Sequence, residues 1–251
     1  MPMQTFYDYM EIPEKCLLNK PLFKKLFQEH TELDTTDKKA LKDDIEKIHW
    51  IYTLKTSTIN IPPYRDTIRE YDEIAIIQIN LSNVNRAQRI ANFINKAIPY
   101  PIILIFNLSN TIAISVADKR INQADKSKWV VEDAWMTKWF NPDLPNEIQQ
   151  QFMQDMGIKN LSFVNFYAFY TDIKNRVIAL NSATRNGNYQ IVSPEKTQER
   201  QQNLTQIIKL EREIAELRTT LKKETQFNKK LSLNISIKER QNAIKQLEQS
   251  L

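Results

Sequence analysis

Residues 73–81 read EIAIIQINL, an isoleucine-rich apolar run from Ile74 to Leu81 broken only by Gln78 and Asn80. A run this short, β-branched and nearly continuous in apolar character predicts a strand covered on both faces, rather than one with a wet side. Its neighbours extend the pattern. Upstream, HWIYTLKTSTINI (49–61) is rich in β-branched and aromatic residues and stops at Pro62 and Pro63, as a strand would. Downstream, VNRAQRIANFINKAI (84–98) places Val84, Ala87, Ile90, Ala91 and Ile94 on one helical face and halts at Pro99. IILIFNL and TIAISVA follow as two further strands, with Ser109 and Asn110 as the turn between them.

Earlier still, NKPLFKKLFQEH (19–30) has Leu22, Phe23, Leu26 and Phe27 at helical spacing. TTDKKALKDDIEKI (35–48) opens on Thr35 or Thr36 as an N-cap and sets Leu41, Ile45 and Ile48 on one stripe. The expected fold class is therefore α/β or α+β, a mixed β-sheet with packed helices.

Composition excludes more than it identifies. With 251 residues and 41% apolar content, the chain can bury a core and fits one medium domain plus an appendage. Its longest apolar runs fall short of the roughly 20 residues that a membrane span needs, and the N-terminal stretch lacks a signal-peptide core, so a cytoplasmic protein without membrane association is expected. Cys16, the lone cysteine, excludes an internal disulfide and a cysteine-cluster metal site.

Two glycines, Gly157 and Gly187, are too few and too far apart for a phosphate-cradling loop, a dinucleotide fingerprint or a nucleophile elbow. His30 and His49 form no HExxH pattern, which leaves zinc hydrolase chemistry without ligands. Either histidine formally permits a Ser-His-Asp site, but His49 sits in the aromatic run IHWIY and reads as a packed residue. Neither cofactor nor metal is expected.

From Asp118 onward, DKRINQADKSKWVVEDAWMTKWF mixes cations with Trp129, Trp135 and Trp139. One reading is a nucleic-acid surface in which Lys119, Arg120, Lys126 and Lys128 meet phosphates while Trp129 stacks on a base. The other, favoured by the interrupting Glu132 and Asp133, is a strand and loop whose tryptophans cover an edge of the core. LPNEIQQQFMQDMGI and SFVNFYAFYTDIKNRVIALN then predict two helices, the second with Phe163, Phe166, Tyr167 and Tyr170 on a shared aromatic face.

The polar stretch 181–195 reads as a linker ending in a Ser193-Pro194 helix start, which divides the chain into a core domain, 1–191, and a C-terminal coiled-coil arm, 192–251. In the arm, Ile207, Leu210, Ile214, Leu217 and Leu221 recur at spacings of three and four. A second set, Leu233, Ile237, Ile244, Leu247 and Leu251, fits the repeat only with Arg240 on the seam, and is offset by two residues from the first. Between them the seam crosses polar residues at Glu224 and Asn228. Either one helix twists its stripe toward another partner, or the chain turns near residues 225–232 and forms a helical hairpin. A dimerising coiled coil with a polar defect is the simpler alternative, and a basic collar of Lys222, Lys223, Lys229 and Lys230 the functional one.

KKETQFNKKLSLN, with DDIEKIHWIYTLKTSTINI, YDEIAIIQINL and INKAIPYPIILIF in order before it, resembles the bacterial family of the domain of unknown function 4391. The resemblance carries no established activity. It implies a gene neighbourhood of DNA methyltransferases and helicases in restriction-modification and phage-defence islands, and a role for Lys223, Glu224, Gln226, Phe227, Asn228, Lys229 and Lys230 beyond solubility.

The expected function is a non-catalytic accessory or adaptor subunit of an anti-phage defence complex. Its expected partners are a helicase, methyltransferase or nuclease subunit, DNA, or a second copy through the C-terminal helix. The enzymatic alternative is a metal-dependent nuclease, whose carboxylates would hold Mg²⁺ beside a lysine. Asp72 and Glu73 precede Gln78 and Asn80 where the second carboxylate and the lysine belong, and Asp172 to Lys174 has the spacing but on a predicted helix.

Overall fold

The structure, a computed structural model, describes residues 2–126 and 128–251, with the side chains of Pro2 and His30 outside that description. It comprises two compact units, residues 1–177 and 178–251, that divide within a helix, ahead of the polar linker.

The first unit opens with helix α1 (Pro2–Met10), edge strand β1 (Leu17–Leu22), and helices α2 (Lys24–His30) and α3 (Thr35–Lys39). Strand β2 (Ile45–Lys55), a short helix α4 (Thr56–Ile59), and the two-residue strands β3 (Tyr64–Arg65) and β4 (Glu70–Tyr71) follow. Next come β5 (Glu73–Leu81), α5 (Ala87–Ala97), β6 (Ile102–Leu108), β7 (Thr111–Ile121) and β8 (Trp129–Met136). Helix α6 (Glu147–Asp155) precedes α7 (Phe166–Asn186), which carries the division between the units. The result is an α/β fold around a mixed six-stranded sheet in the order β1-β2-β5-β6-β7-β8, with β3 and β4 as a separate pair.

Among the described residues only β5 and β6 run parallel, with Ile77 opposite Leu104 and Ile79 opposite Phe106. A parallel pair needs a crossover, and α5 supplies it. Its Ile90, Ala91 and Ile94 pack with Ala75, Ile77, Ile79, Leu104 and Phe106 in one apolar cluster, which Phe27 of α2 and Leu41 join. On the other side, the Tyr7 hydroxyl of α1 donates to Gln78 Oε1 at 3.3 Å, and the Tyr7 ring meets Tyr52 edge-on. Each fully buried isoleucine here contributes roughly 1.5–3 kcal/mol, so the two-sided cover is the main source of stability. Ser109, with φ of 53°, turns β6 into β7.

Several local expectations are corrected. Leu22 belongs to β1, because 17–22 takes the free edge of β2, where Pro21 costs no ladder bond. Helix α3 is capped by Asp34 rather than Thr35 or Thr36: its side chain accepts from Asp37 N at 2.8 Å, and Asp37 answers the Asp34 backbone N–H. The helix closes in a π-turn at Ala40–Asp44, and Ile45 and Ile48 lie in β2, which therefore starts four residues before the expected strand. Buried Asp44 fixes that change: Arg86 Nη2 donates to it at 2.6 Å, and its carbonyl accepts from Ser82 N at 2.8 Å. Trp135 of β8 is buried and Trp139 packs on the apolar cluster, so these two cover an edge of the core, while Trp129, at the start of β8, is only half-buried.

Where the β6–β7 ladder ends, past Ile103 and Val116, a side chain replaces the next rung. The Tyr170 hydroxyl lies 2.7 Å from Ile102 O and 3.1 Å from Ala117 O, and accepts from Ala117 N at 2.9 Å. Burial raises its pKa, so it stays a neutral donor.

The second unit joins the C-terminal part of α7, from residue 178, to a helical hairpin. After Gly187, whose positive φ ends α7, helix α8 (Pro194–Lys223) starts behind the Ser193 cap and packs against α9 (Phe227–Gln249). Ile207, Leu210 and Ile214 of α8 and Ile237 of α9 are buried, and Arg240 on the seam donates to Glu213 Oε2 at 2.7 Å. Arg200 Nε reaches the carbonyl of Leu251 at 2.6 Å, which ties the last residue to the first turns of α8. Of the two foldings open to the offset seams, the chain adopts the turn.

Replacing Tyr170 by Phe leaves packing intact but strands buried backbone groups, so Tyr170→Phe is expected to cost about 1–3 kcal/mol. Urea unfolding would measure it, and a cost near zero would mean that the hydroxyl does not stand in for the rung.

Candidate functional site

Two regions hold the candidate residues, one in each unit. In the first, the β7–β8 pairing shifts register between Ala117 and Lys119, with the extra residue on β8, where Glu132 and Asp133 stand opposite Asp118. Asp118, 6% exposed, accepts from the Tyr71 hydroxyl at 2.6 Å and from Arg69 Nη2 at 3.2 Å, with Lys174 Nζ at 3.9 Å. Arg69 also bonds Glu132 at 3.2 Å and lies over the Tyr167 ring, which stacks on Tyr64. Burial, then the Asp118 charge, pushes the Tyr71 hydroxyl far above its usual range. Burial works against the charged form of Arg69, but the hydrogen bond and charge of Asp118 outweigh it and raise its pKa.

Each cation thus has an anion, and the network locks the β3–β4 hairpin onto the sheet through the Ile121 N to Ile68 O bond, 2.7 Å long. Sequence reading missed this network. The signal was available in SVADKRI, where a charged triplet interrupts an apolar strand.

Lys119, expected on a phosphate-contacting surface, is fully buried instead. Its Nζ donates to Ile98 O at 2.8 Å and Tyr100 O at 2.9 Å, at the C-terminal end of α5. Burial lowers its pKa well below the usual value. A neutral amine has two N–H donors, and two carbonyls satisfy them.

The remaining cations of that expected surface are scattered or paired. Arg120 bonds Glu132 at 2.5 Å, Lys128 lies 3.3 Å from Asp125, and Lys126 is exposed. Trp129 and Lys128 do share an open groove of about 960 Å³ with Lys96, Tyr100 and Glu32, above the carbonyls that hold Lys119. Burial raises the Tyr100 hydroxyl to about 12, so it remains protonated there.

The Asp172-x-Lys174 spacing divides between separate contacts: Asp172 Oδ2 accepts from Ser162 N at 2.9 Å, whereas Lys174 turns to Asp118. Gln78 donates to Asn80 at 2.9 Å on β5. Among the described residues, no group of three or more His, Cys, Asp or Glu is arranged to hold a metal ion. His49 is half-buried on β2 opposite Gln78, and the side chain of His30 lies outside the described residues.

The second region is the hairpin turn, Glu224, Thr225 and Gln226. Here the structure brings together the residues of the QFN stretch. Glu224 leaves the helix in an extended conformation, and its Oε1 accepts from Thr225 N at 2.8 Å and Gln226 N at 2.9 Å. Those backbone donors, then the charges of Lys229 and Lys230, hold its carboxyl below the usual range. Glu224 therefore builds the turn. Around it Lys222, Lys223, Gln226, Asn228, Lys229 and Lys230 are exposed, and Phe227 is 77% exposed as the first residue of α9. The arrangement presents an aromatic ring, two amides and four cations at the end of a hairpin, and suits binding rather than bond-breaking chemistry.

The family model described as Domain of unknown function (DUF4391) matches residues 10–244. No curated protein matches the chain, and no solved structure does.

Lys119 gives a signed pH dependence. Between its depressed native value and the usual 10.5, the unfolded chain holds a proton there that the folded chain does not. Stability therefore rises with pH through that window, by at most about 1.4 kcal/mol per unit for one proton. Urea unfolding at pH 8 and pH 10 is expected to show a shallower rise in Lys119→Met than in the native chain; identical slopes would place a charged ammonium in the core.

Proposed function

This chain belongs to the Domain of unknown function (DUF4391) family, and we propose that it serves as a non-catalytic adaptor subunit of a cytoplasmic assembly acting on DNA. Its α/β unit is the body and its helical hairpin the docking arm. The observation that carries the reading is Phe227 at the turn. A phenylalanine left in water forgoes roughly 1.5–3 kcal/mol of burial, and aromatic side chains of this kind anchor protein interfaces. Gln226 and Asn228 flank it with amides able to bond a partner backbone, and the exposed lysines add long-range attraction. Among the described residues, no helix is long and apolar enough to cross a membrane, which fits an assembly away from the bilayer.

The choice of a helicase, methyltransferase or nuclease subunit of an anti-phage defence system as partner rests on the gene neighbourhood that the family resemblance implies. Co-expression with the neighbouring methyltransferase and helicase, followed by size-exclusion chromatography with light scattering, is expected to give a joint complex. Phe227→Ala should weaken that complex by about tenfold or more, the effect of losing an interface anchor. A native chain that elutes alone in every combination would refute the adaptor reading.

A further inference from the structure

Helix α9 carries two apolar stripes, and the hairpin uses one. At ~100° per residue, Leu233, Ile237, Ile244 and Leu247 fall on a single arc. These residues are buried or half-buried, as the packing against α8 requires. Phe227, Leu231 and Ile235 recur at four-residue spacing on the roughly opposite arc, and are 77%, 52% and 52% exposed. The second stripe is about 12 Å long, two helical turns. Its Leu231 and Ile235 continue the α8 seam past the turn, displaced outward by the offset between the two registers.

The charge around the stripe is one-sided. Residues 222–239 hold five lysines against two glutamates, and the Glu224 carboxylate is already bonded to the turn. Lys230 flanks the stripe and Lys238 continues it, both exposed. A second copy of the same hairpin would oppose lysine to lysine, and a phosphate backbone has no use for three apolar side chains.

We propose that the occupant is an acidic amphipathic helix of a partner protein. It lies along Phe227, Leu231 and Ile235 as the third helix of a bundle, with its carboxylates toward Lys230 and Lys238. This rests on the adaptor reading and adds the chemistry of the partner.

The test uses the full-length chain and fluorescent designed helical peptides that share one apolar heptad stripe but carry glutamate, glutamine or lysine flanks. Anisotropy titrations should rank glutamate over glutamine over lysine, with about tenfold between the extremes and a preference that shrinks with added salt. Leu231→Ser with Ile235→Ser should remove binding of all three. Lys230→Glu with Lys238→Glu should invert the ranking, a readout that loss of folding cannot produce.

Equal affinity for the three peptides, tighter binding of a duplex DNA oligonucleotide than of the acidic peptide, or a dimer abolished by the Leu231 and Ile235 substitutions would each overturn the proposal. The two readings fail separately. If the native chain and the Leu231/Ile235 variant enter the methyltransferase and helicase assembly equally, the acidic-helix proposal falls and the adaptor stands. If the acidic peptide binds as described but the native chain enters no assembly, the adaptor reading falls.

Discussion

Two-sided burial of the parallel β5–β6 pair constrains everything around it in the first unit. Ile74, Ile76, Ile103 and Ile105 and the alternating Ala75, Ile77, Ile102 and Leu104 are all without solvent exposure. Neither face can be left bare, so the crossover helix α5 closes one side. Helices α1 and α7 close the other, where Tyr7 and Tyr170 reach the sheet. The same burial dictates how polar groups are treated at the end of the ladder. Tyr170 stands in for a rung, Lys119 sits between two carbonyls, and Asp118 collects Tyr71, Arg69 and Lys174. These side chains have the form of catalytic groups, buried and ionisable, but their hydrogen bonds are spent on the fold.

The second unit obeys a different constraint, the mismatch between two heptad registers. A continuous helix would have carried Glu224 and Asn228 across an apolar seam. The chain instead breaks at Glu224, whose carboxylate satisfies the two backbone N–H groups that the break exposes. Once the chain reverses, the α9 residues in the later register face α8, and those in the earlier register face out. An exposed apolar stripe is therefore the direct consequence of a two-residue offset written in the sequence.

That offset shows how far the sequence was legible. Strand β5 could be read from composition alone, because a short, nearly continuous apolar run with four isoleucines has few alternatives. Helix α5 and the β6–β7 hairpin followed from periodicity and from Ser109-Asn110. Strand β1 could not be read, since its residues also fit helical spacing and only the free edge of β2 decides between them. Lys119 misled for a related reason: a lysine within a basic stretch looks solvated until β7, buried on both faces, places it two residues beyond Ala117 with its amine on the carbonyls of Ile98 and Tyr100. The Asp118 network joins residues from 69 to 174 and has no local signature. In the arm, the two seams were visible but the choice between twist and turn was not, because it rests on the local hydrogen bonds of Glu224. The QFN residues stood out through family resemblance rather than through any chemical motif.

The polar interruption at 224–226 is a turn that folds one stripe inward and leaves another facing out. A distance between spin labels at Lys209 and Asn242, in a chain with Cys16 replaced by serine, tests it most directly by double electron–electron resonance. Both positions are exposed, one on each helix. A hairpin with axes about 10 Å apart predicts a label separation under about 30 Å. A distribution centred near 50 Å, the span of 33 residues at about 1.5 Å each, would mean one continuous helix and would contradict the account.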